Sequence, residues 1–284
     1  MGPLLTSAVH AALQEARAAG QPSVELSLDL QRSRTEVQLS AHAWHWRQQP
    51  FPYLEACKDR TIYYWDESAF VPAARFTHSL IKLVPTPWGA PTFEIDGIKM
   101  LPSAQVSPYA DAQRKVALIA PRGKRVLDCC GGLGYFAAAC LQGAAAQVCS
   151  YEINADVLWL RSLNPWSPDN RWVREAPACL TLLRADVIEQ IGQLPERSVD
   201  AILHDPPRIG IAGELYSQAF YVQLERVLSE RGRLFHYTGT PNKLTSGRDV
   251  PREVAERLRR VGFSVTAEGD GLLAVKRART PRSR

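Results

Sequence analysis

The chain has 284 residues, 45% of them apolar and 22% charged, which is the balance of an ordinary globular protein able to bury a sizeable core. No apolar run approaches the roughly 18 residues of a membrane span and the N-terminus lacks a basic-then-apolar export signal, so the expectation is a cytoplasmic protein that does not enter a membrane. The formal charge of +5 is matched by Lys276, Arg277, Arg279, Arg282 and Arg284 alone, which leaves the body near neutral and weakens the case for a nucleic-acid surface built on net charge.

The first hundred residues read as a small β-rich module. A helix over Ser7 to Ala19 is ended by Gly20 and Pro22. Alternation predicts strands over Val24 to Leu30 and Thr35 to Leu39, a hairpin around the charged turn Gln31 to Arg34, with short aromatic strands at Ala43 to Trp46 and Thr61 to Trp65. Ser79 to Val84, Thr92 to Ile95 and Ile98 to Leu101 continue the β pattern, and Asp96-Gly97 supplies a two-residue turn. Nothing in this module is a catalytic motif.

From Ser107 the period changes. Ala110 to Ile119 reads as a helix, and Arg125 to Phe136, RVLDCCGGLGYF, reads as strand, glycine turn and helix. Strands follow at Gln147 to Tyr151, Leu180 to Leu183, Val199 to Leu203 and Arg233 to Tyr237. Between them lie helices at Asn154 to Leu163, Val187 to Leu194 and Ala212 to Ser229. A helix over Pro251 to Val261 and a strand pair over Phe263 to Ala267 and Leu272 to Val275 close the pattern. This alternation predicts an α/β fold, a doubly wound and mostly parallel sheet with the small N-terminal β-rich module before it. The boundaries are then 1–106 for the module, 107–277 for the α/β domain and 278–284 for a basic tail.

Ligands of such sheets bind at the carboxyl ends of the strands, and each of the first four strands ends at an acid: Asp128, Glu152, Asp186 and Asp205. Gly132 to Ala137 also fits a dinucleotide fingerprint, with Glu152 near the spacing of a ribose-binding acid. Asp128 stands against that reading, because a carboxylate just before the glycines repels a pyrophosphate and attracts an amine or a sulfonium. The six cysteines have no paired CxxC spacing and five fall in predicted core elements, so they are expected to be reduced, and no metal site is expected.

With these motifs in one register, the chain resembles the class I, Rossmann-like S-adenosylmethionine-dependent methyltransferases over about Asp111 to Arg277. More closely, VLDCCGGLGYFA, the NPWS at Asn164, HDPPR, AGELYS, LFHYTG and GRDV resemble a poorly characterised archaeal and bacterial branch of them. The resemblance implies S-adenosyl-L-methionine as cofactor, held by Asp128, Gly131, Gly132 and Gly134 around its methionine part, by Glu152 at the ribose and by Asp186 at the adenine. It implies an acceptor side at Asp205, Pro206 and Pro207, with Arg208 next to them; the segment Ile209 to Tyr216, hinged at Gly210 and Gly213 and carrying Glu214 and Tyr216, reads as a lid or as an ordinary loop into a helix, and Tyr237 ends the fifth strand beside the cleft. Asp205, Tyr237 and Glu214 are the candidate catalytic residues. Arg208 stands where adenine-amine methyltransferases carry an aromatic ring, and all six cysteines precede Asp205, which disfavours the cysteine mechanism of RNA-uridine methyltransferases.

Asp200 to Leu228 is also similar to the gate region of spermidine synthases, and Gly89 to Gly97 to part of their N-terminal β-module. Those enzymes carry an acid where this chain has Leu133, and a pair of aspartates at the gate where it has Asp205. The leading expectation is methyl transfer to a small molecule or RNA. Aminopropyl transfer from decarboxylated S-adenosylmethionine is the rival, and a scaffold that binds cofactor without turnover is a third reading. The sequence leaves the oligomeric state open, a homodimer included.

Overall fold

Leu4–Leu5 (β1) and the helix Ser7–Ala18 (α1) open the chain in the computed structural model, which describes residues 2–168, 179–239 and 249–278. The helix begins where Thr6 accepts a hydrogen bond from the Val9 N–H at 3.4 Å, a side-chain cap on otherwise unpaired donors. The chain forms two compact units, one of Met1–Asp111 with Trp159–Ser167, the other of Ala112–Leu158 with Pro168–Arg284.

The first unit carries β2 (Ser23–Leu26), β3 (Thr35–Leu39), β4 (Ala43–Trp46), β5 (Gln49–Pro52), β6 (Tyr63–Trp65), β7 (Phe70–Pro72), β8 (Ala74–Phe76), β9 (Leu80–Val84), β10 (Thr92–Ile95) and β11 (Ile98–Lys99). They make sheets ordered β1-β6-β7, β2-β3-β4-β5 and β11-β10-β9-β8, with the expected hairpin at Asp96-Gly97. The strand expected to reach Leu30 stops at Leu26. There Asp29 takes the N–H groups of Arg32 and Ser33, and Leu30 and Gln31 turn to positive φ. The core is aromatic: Trp44 lies wholly buried on Phe51, ring centroids 4.7 Å apart, with Phe70, Leu5, Leu13 and Val37 in the same cluster.

The second unit begins at Ala112 within α2 (Pro108–Ile119), followed by β12 (Arg125–Asp128), α3 (Tyr135–Gln142), β13 (Gln147–Tyr151), the first turn of α4 (Ala155–Leu163), whose remainder belongs to the first unit, β14 (Leu180–Leu183), α5 (Val187–Ile191) and β15 (Val199–His204). A short 3₁₀-helix (Gly213–Tyr216), α6 (Gln218–Val227), β16 (Leu228–Tyr237), α7 (Val250–Arg260), β17 (Phe263–Glu268) and β18 (Gly271–Lys276) complete it. The strands form one seven-stranded sheet in the order β14-β13-β12-β15-β16-β18-β17. Every neighbouring pair is parallel except those of β18, which runs antiparallel to both β16 and β17. The order reverses between β12 and β15, so the crevice beyond their carboxyl ends is where such a sheet binds a ligand. Leu127, Ile202, Leu224, Leu234, Leu258 and Phe263, each fully buried, hold the helices to the sheet.

Two expectations are corrected here. The single helix over Ala212 to Ser229 is broken at Ser217, whose backbone is extended and whose hydroxyl accepts from the Phe220 N–H at 3.1 Å to begin α6 afresh. Lys276, expected just beyond the last strand, belongs to it. It ends β18 at 3% exposure, its ammonium donating to the Glu225 and Leu228 carbonyls at 2.7 Å each. Of the expected basic tail, 278–284, all but residue 278 lies outside the described residues, as do Gly247 and Arg248 of the GRDV stretch.

Candidate active site

The β12 strand buries Val126 and Leu127 and delivers Asp128, 0% exposed, to the carboxyl edge of the sheet. Ser150, the register partner of Asp128 on β13, donates its hydroxyl to Asp128 Oδ2 at 2.8 Å. A carboxylate wholly removed from water is costly. Placed under a nucleotide-type turn, it favours a cationic ligand over a phosphate.

The turn above it is closed by its own hydrogen bonds. The Gly131 N–H donates to the Tyr151 carbonyl at 2.7 Å, the Gly134 N–H to the Gly131 carbonyl at 2.7 Å, and the Gly132 N–H to Glu152 Oε2 at 2.9 Å. Gly132 at φ +50° and Gly134 at φ +81° occupy the left-handed region, which explains glycine at both positions. The other oxygen of Glu152 accepts from the Asn154 N–H at 2.8 Å. Each carboxylate oxygen therefore holds one backbone donor and keeps a further lone pair. Two vicinal hydroxyls, as on a ribose, suit that remaining capacity. Donors of the turn are turned toward protein oxygens, which is a poor cradle for a pyrophosphate.

Across the switch point, Asp205 follows β15. Pro206 is buried, while Pro207 and Arg208 are exposed. The buried Tyr216 donates its hydroxyl to the Pro207 carbonyl at 3.1 Å, fixing the proline turn. Burial raises the phenol of Tyr216 above its ordinary value and the charge of Asp205 adds to this. Tyr237 is raised by the same two causes, while Lys115 and Arg208 pull it back. Both are neutral hydrogen-bonding groups at neutral pH. Cys130 stands between the two sides: its thiol is pushed well up by burial, then by Cys129, Glu152, Asp128 and Asp205. That thiol is not an activated nucleophile.

Asp128, the glycines, Glu152, Asp205, Tyr216 and Tyr237 are thus brought to one edge of one sheet. Asp186 caps α5 by accepting from the Ile188 N–H at 2.8 Å. Glu214 is exposed on the 3₁₀-helix, and among the described residues its carboxylate makes no hydrogen bond or ion pair. The described residues hold no cluster of potential metal ligands and no helix long and apolar enough to cross a membrane. His204, 0% exposed, is a core residue: burial lowers its pKa to about 4.

No family model matches the chain. It is 38% identical over 219 residues to the uncharacterized protein MJ1233 of Methanocaldococcus jannaschii, covering 76% of this chain and 73% of that one. The chain belongs to the MJ1233 family. Among solved structures, a spermidine synthase in complex with the transition state analogue AdoDATO superposes with a TM-score of 0.54 at 15% identity, over 75% of this chain and 78% of that chain. The spermidine synthase from Thermotoga maritima gives a TM-score of 0.52 at 16% identity, with the same coverage. This member of the MJ1233 family therefore shares the fold of the spermidine synthases.

Two residues at this edge of the MJ1233-family chain escape a reading of its motifs. Lys115 is 2% exposed, its ammonium 3.3 Å from Asp205 Oδ2 and 3.7 Å from Asp270 Oδ2, and 4.6 Å from the centre of the Tyr237 ring. Asp270, in the β17–β18 turn, also accepts from Arg114 at 2.7 Å. The signal for Lys115 was its register: Ala112, Lys115, Val116 and Ile119 fall at i, i+3, i+4 and i+7 and are all buried. A lysine inside an apolar stripe implies a buried partner. Asp270 gave no such signal, since Gly269-Asp270-Gly271 is also an ordinary hairpin turn.

Proposed function

We propose that the chain is an enzyme that transfers a methyl group from S-adenosyl-L-methionine to an acceptor, a small molecule or an RNA. The observation that carries this is the buried Asp128 beneath a glycine turn whose donors are engaged by Glu152 and Tyr151, a site suited to a cationic nucleoside. In this reading Asp128, Gly131, Gly132 and Gly134 face the methionine part, Glu152 the ribose hydroxyls and Asp186 the adenine. Asp205, Pro206, Pro207, Arg208 and Tyr216 line the acceptor side, with Tyr237 and Glu214 in reach of the reacting group. The sulfonium supplies an activated methyl carbon. The chain's own task is alignment of that carbon with the acceptor lone pair, and positioning of this kind contributes up to about 7–11 kcal/mol in favourable cases. Asp205 and Tyr237 orient the acceptor by hydrogen bonds.

The shared fold with spermidine synthases supports a second reading, aminopropyl transfer from decarboxylated S-adenosylmethionine. Leu133 favours the first. It is 1% exposed in the glycine turn, an apolar side chain where those enzymes carry an acid, whose charge would repel the carboxylate that S-adenosylmethionine has and its decarboxylated form lacks. Calorimetric titration of the purified chain with both donors separates the readings: S-adenosylmethionine is expected to bind more tightly, and preference for the decarboxylated form would sink the methyl-transfer reading. A labelled-methyl assay on separated RNA and small-molecule pools then identifies the acceptor, and Asp205→Ala is expected to abolish that labelling with donor affinity within a few fold.

A further inference from the structure

Lys115 places an alkylammonium inside the protein at the carboxyl edge of the sheet. Its Nζ lies 3.3 Å from Asp205 Oδ2 and 3.7 Å from Asp270 Oδ2 and faces the Tyr237 ring at 4.6 Å. Two carboxylates and an aromatic face are the groups that bind a primary ammonium from solution. The two acids remain partly accessible, with side chains 18% and 29% exposed, whereas the lysine is 2% exposed. Arg114 takes the remaining side of Asp270 at 2.7 Å. The carboxylate pair on the acceptor side is therefore balanced by two cations of the chain itself, and exposed Arg208 adds a positive charge felt at Tyr237.

We propose that Lys115 is a specificity-determining residue: its side chain permanently occupies the Asp205–Asp270 carboxylate pair, so that the site rejects di- and polyamines and takes a neutral or anionic acceptor. The inference rests on the reading of this edge as the acceptor side, and it deepens that reading by naming the class of acceptor. Removing the internal ammonium should convert the pair into a binding site for external amines. Coulomb attraction at these distances, strengthened by partial burial, supplies the affinity.

The full-length chain tests this without any turnover. Lys115→Ala is expected to melt below wild type and to recover on addition of n-propylammonium, with a rise of about 2 °C at tenfold excess over its dissociation constant. The neutral isostere n-propanol should give no recovery, and neither compound should move wild type. Lys115→Ala that is folded and indifferent to the amine, or equally responsive to the alcohol, overturns the proposal. Wild type supplies an arm that needs no variant to fold: calorimetric titration with 1,4-diaminobutane should show no binding, and a dissociation constant below about 1 mM overturns the proposal by itself. Neither arm uses the donor. Failure of the donor titrations with these results intact removes the methyl-transfer reading and leaves Lys115's role standing, and the converse result does the reverse.

Discussion

Glu152 does two jobs with one carboxylate. Its oxygens accept from the Gly132 and Asn154 N–H groups at 2.9 and 2.8 Å, which ties the glycine turn to the end of β13 and leaves lone pairs pointing away from those donors. Glu152→Gln replaces one acceptor with an NH₂ that must face a backbone N–H. The expected outcome is a loss of about 1–3 kcal/mol in urea unfolding together with at least tenfold weaker nucleoside binding by calorimetry. Unchanged donor affinity in a destabilised variant would confine Glu152 to a structural role. Acids of this kind were legible in the sequence because a strand that ends at Asp128, or just before Glu152, delivers the acid to a sheet edge whatever the tertiary details. Lys115 was hidden by chemistry: a lysine on a helix usually carries its charge to water along an apolar stem, and only the buried neighbours at Ala112, Val116 and Ile119 show that this one cannot.

Helix ends show the same contrast at the scale of elements. Helix α6 finishes at Val227, and the carbonyls of Glu225 and Leu228 receive Lys276 Nζ at 2.7 Å each, with the Glu225 carboxylate at 3.2 Å. A cation at a helix C-terminus opposes the negative end of the macrodipole, and here it is also buried with all its donors engaged. Lys276→Met removes the charge and strands those acceptors, so urea unfolding should show a loss of about 3 kcal/mol or more. Arg277→Ala, one residue on at an exposed position, should stay within about 0.5 kcal/mol of wild type. A change below 1 kcal/mol for Lys276→Met would mean that water replaces the lysine. The alternation places the last strand only to Val275, because the sequence does not reveal that β18 runs through Lys276. The strand β5 was missed for a related reason. Pro50 and Pro52 argue against a strand, yet β5 is the edge of its sheet, where a missing N–H is tolerated.

At the scale of the whole molecule, the parallel sheet was legible because strands separated by helices leave few alternatives, while the many small strands of the first unit depend on non-local pairings that local alternation does not encode. The centre of the parallel sheet carries a feature that ties its stability to pH. His204 and His236 are register partners on β15 and β16, both 0% exposed, with ring centroids 4.4 Å apart. His204 Nε2 donates to the Leu215 carbonyl at 3.0 Å, and among the described residues its Nδ1 has no partner. His236 donates from Nδ1 to the Tyr237 carbonyl at 2.8 Å and accepts from the Tyr221 hydroxyl at 2.9 Å. Each ring is held neutral. Burial lowers His204 from 6.5 to about 4, and burial with the charge of His204 takes His236 well below its ordinary value. Below pH 6.5 the unfolded chain binds protons that the folded chain refuses, so stability must fall as pH falls, from about 6.5 down through the folded values. His204 alone accounts for about 3 kcal/mol of loss by pH 4, with His236 adding to it. Asp29, Asp66, Asp96 and Asp200 are lowered from 3.8 in the folded chain, so their contributions are intact above that value and do not blur the window. Urea unfolding at pH 7.5, 6.0 and 5.0 should therefore give a midpoint that falls steadily with acid at constant slope. A midpoint independent of pH over that range would mean that these rings titrate in the folded protein as they do in the unfolded chain, and the neutral pair at the centre of the sheet would be wrong.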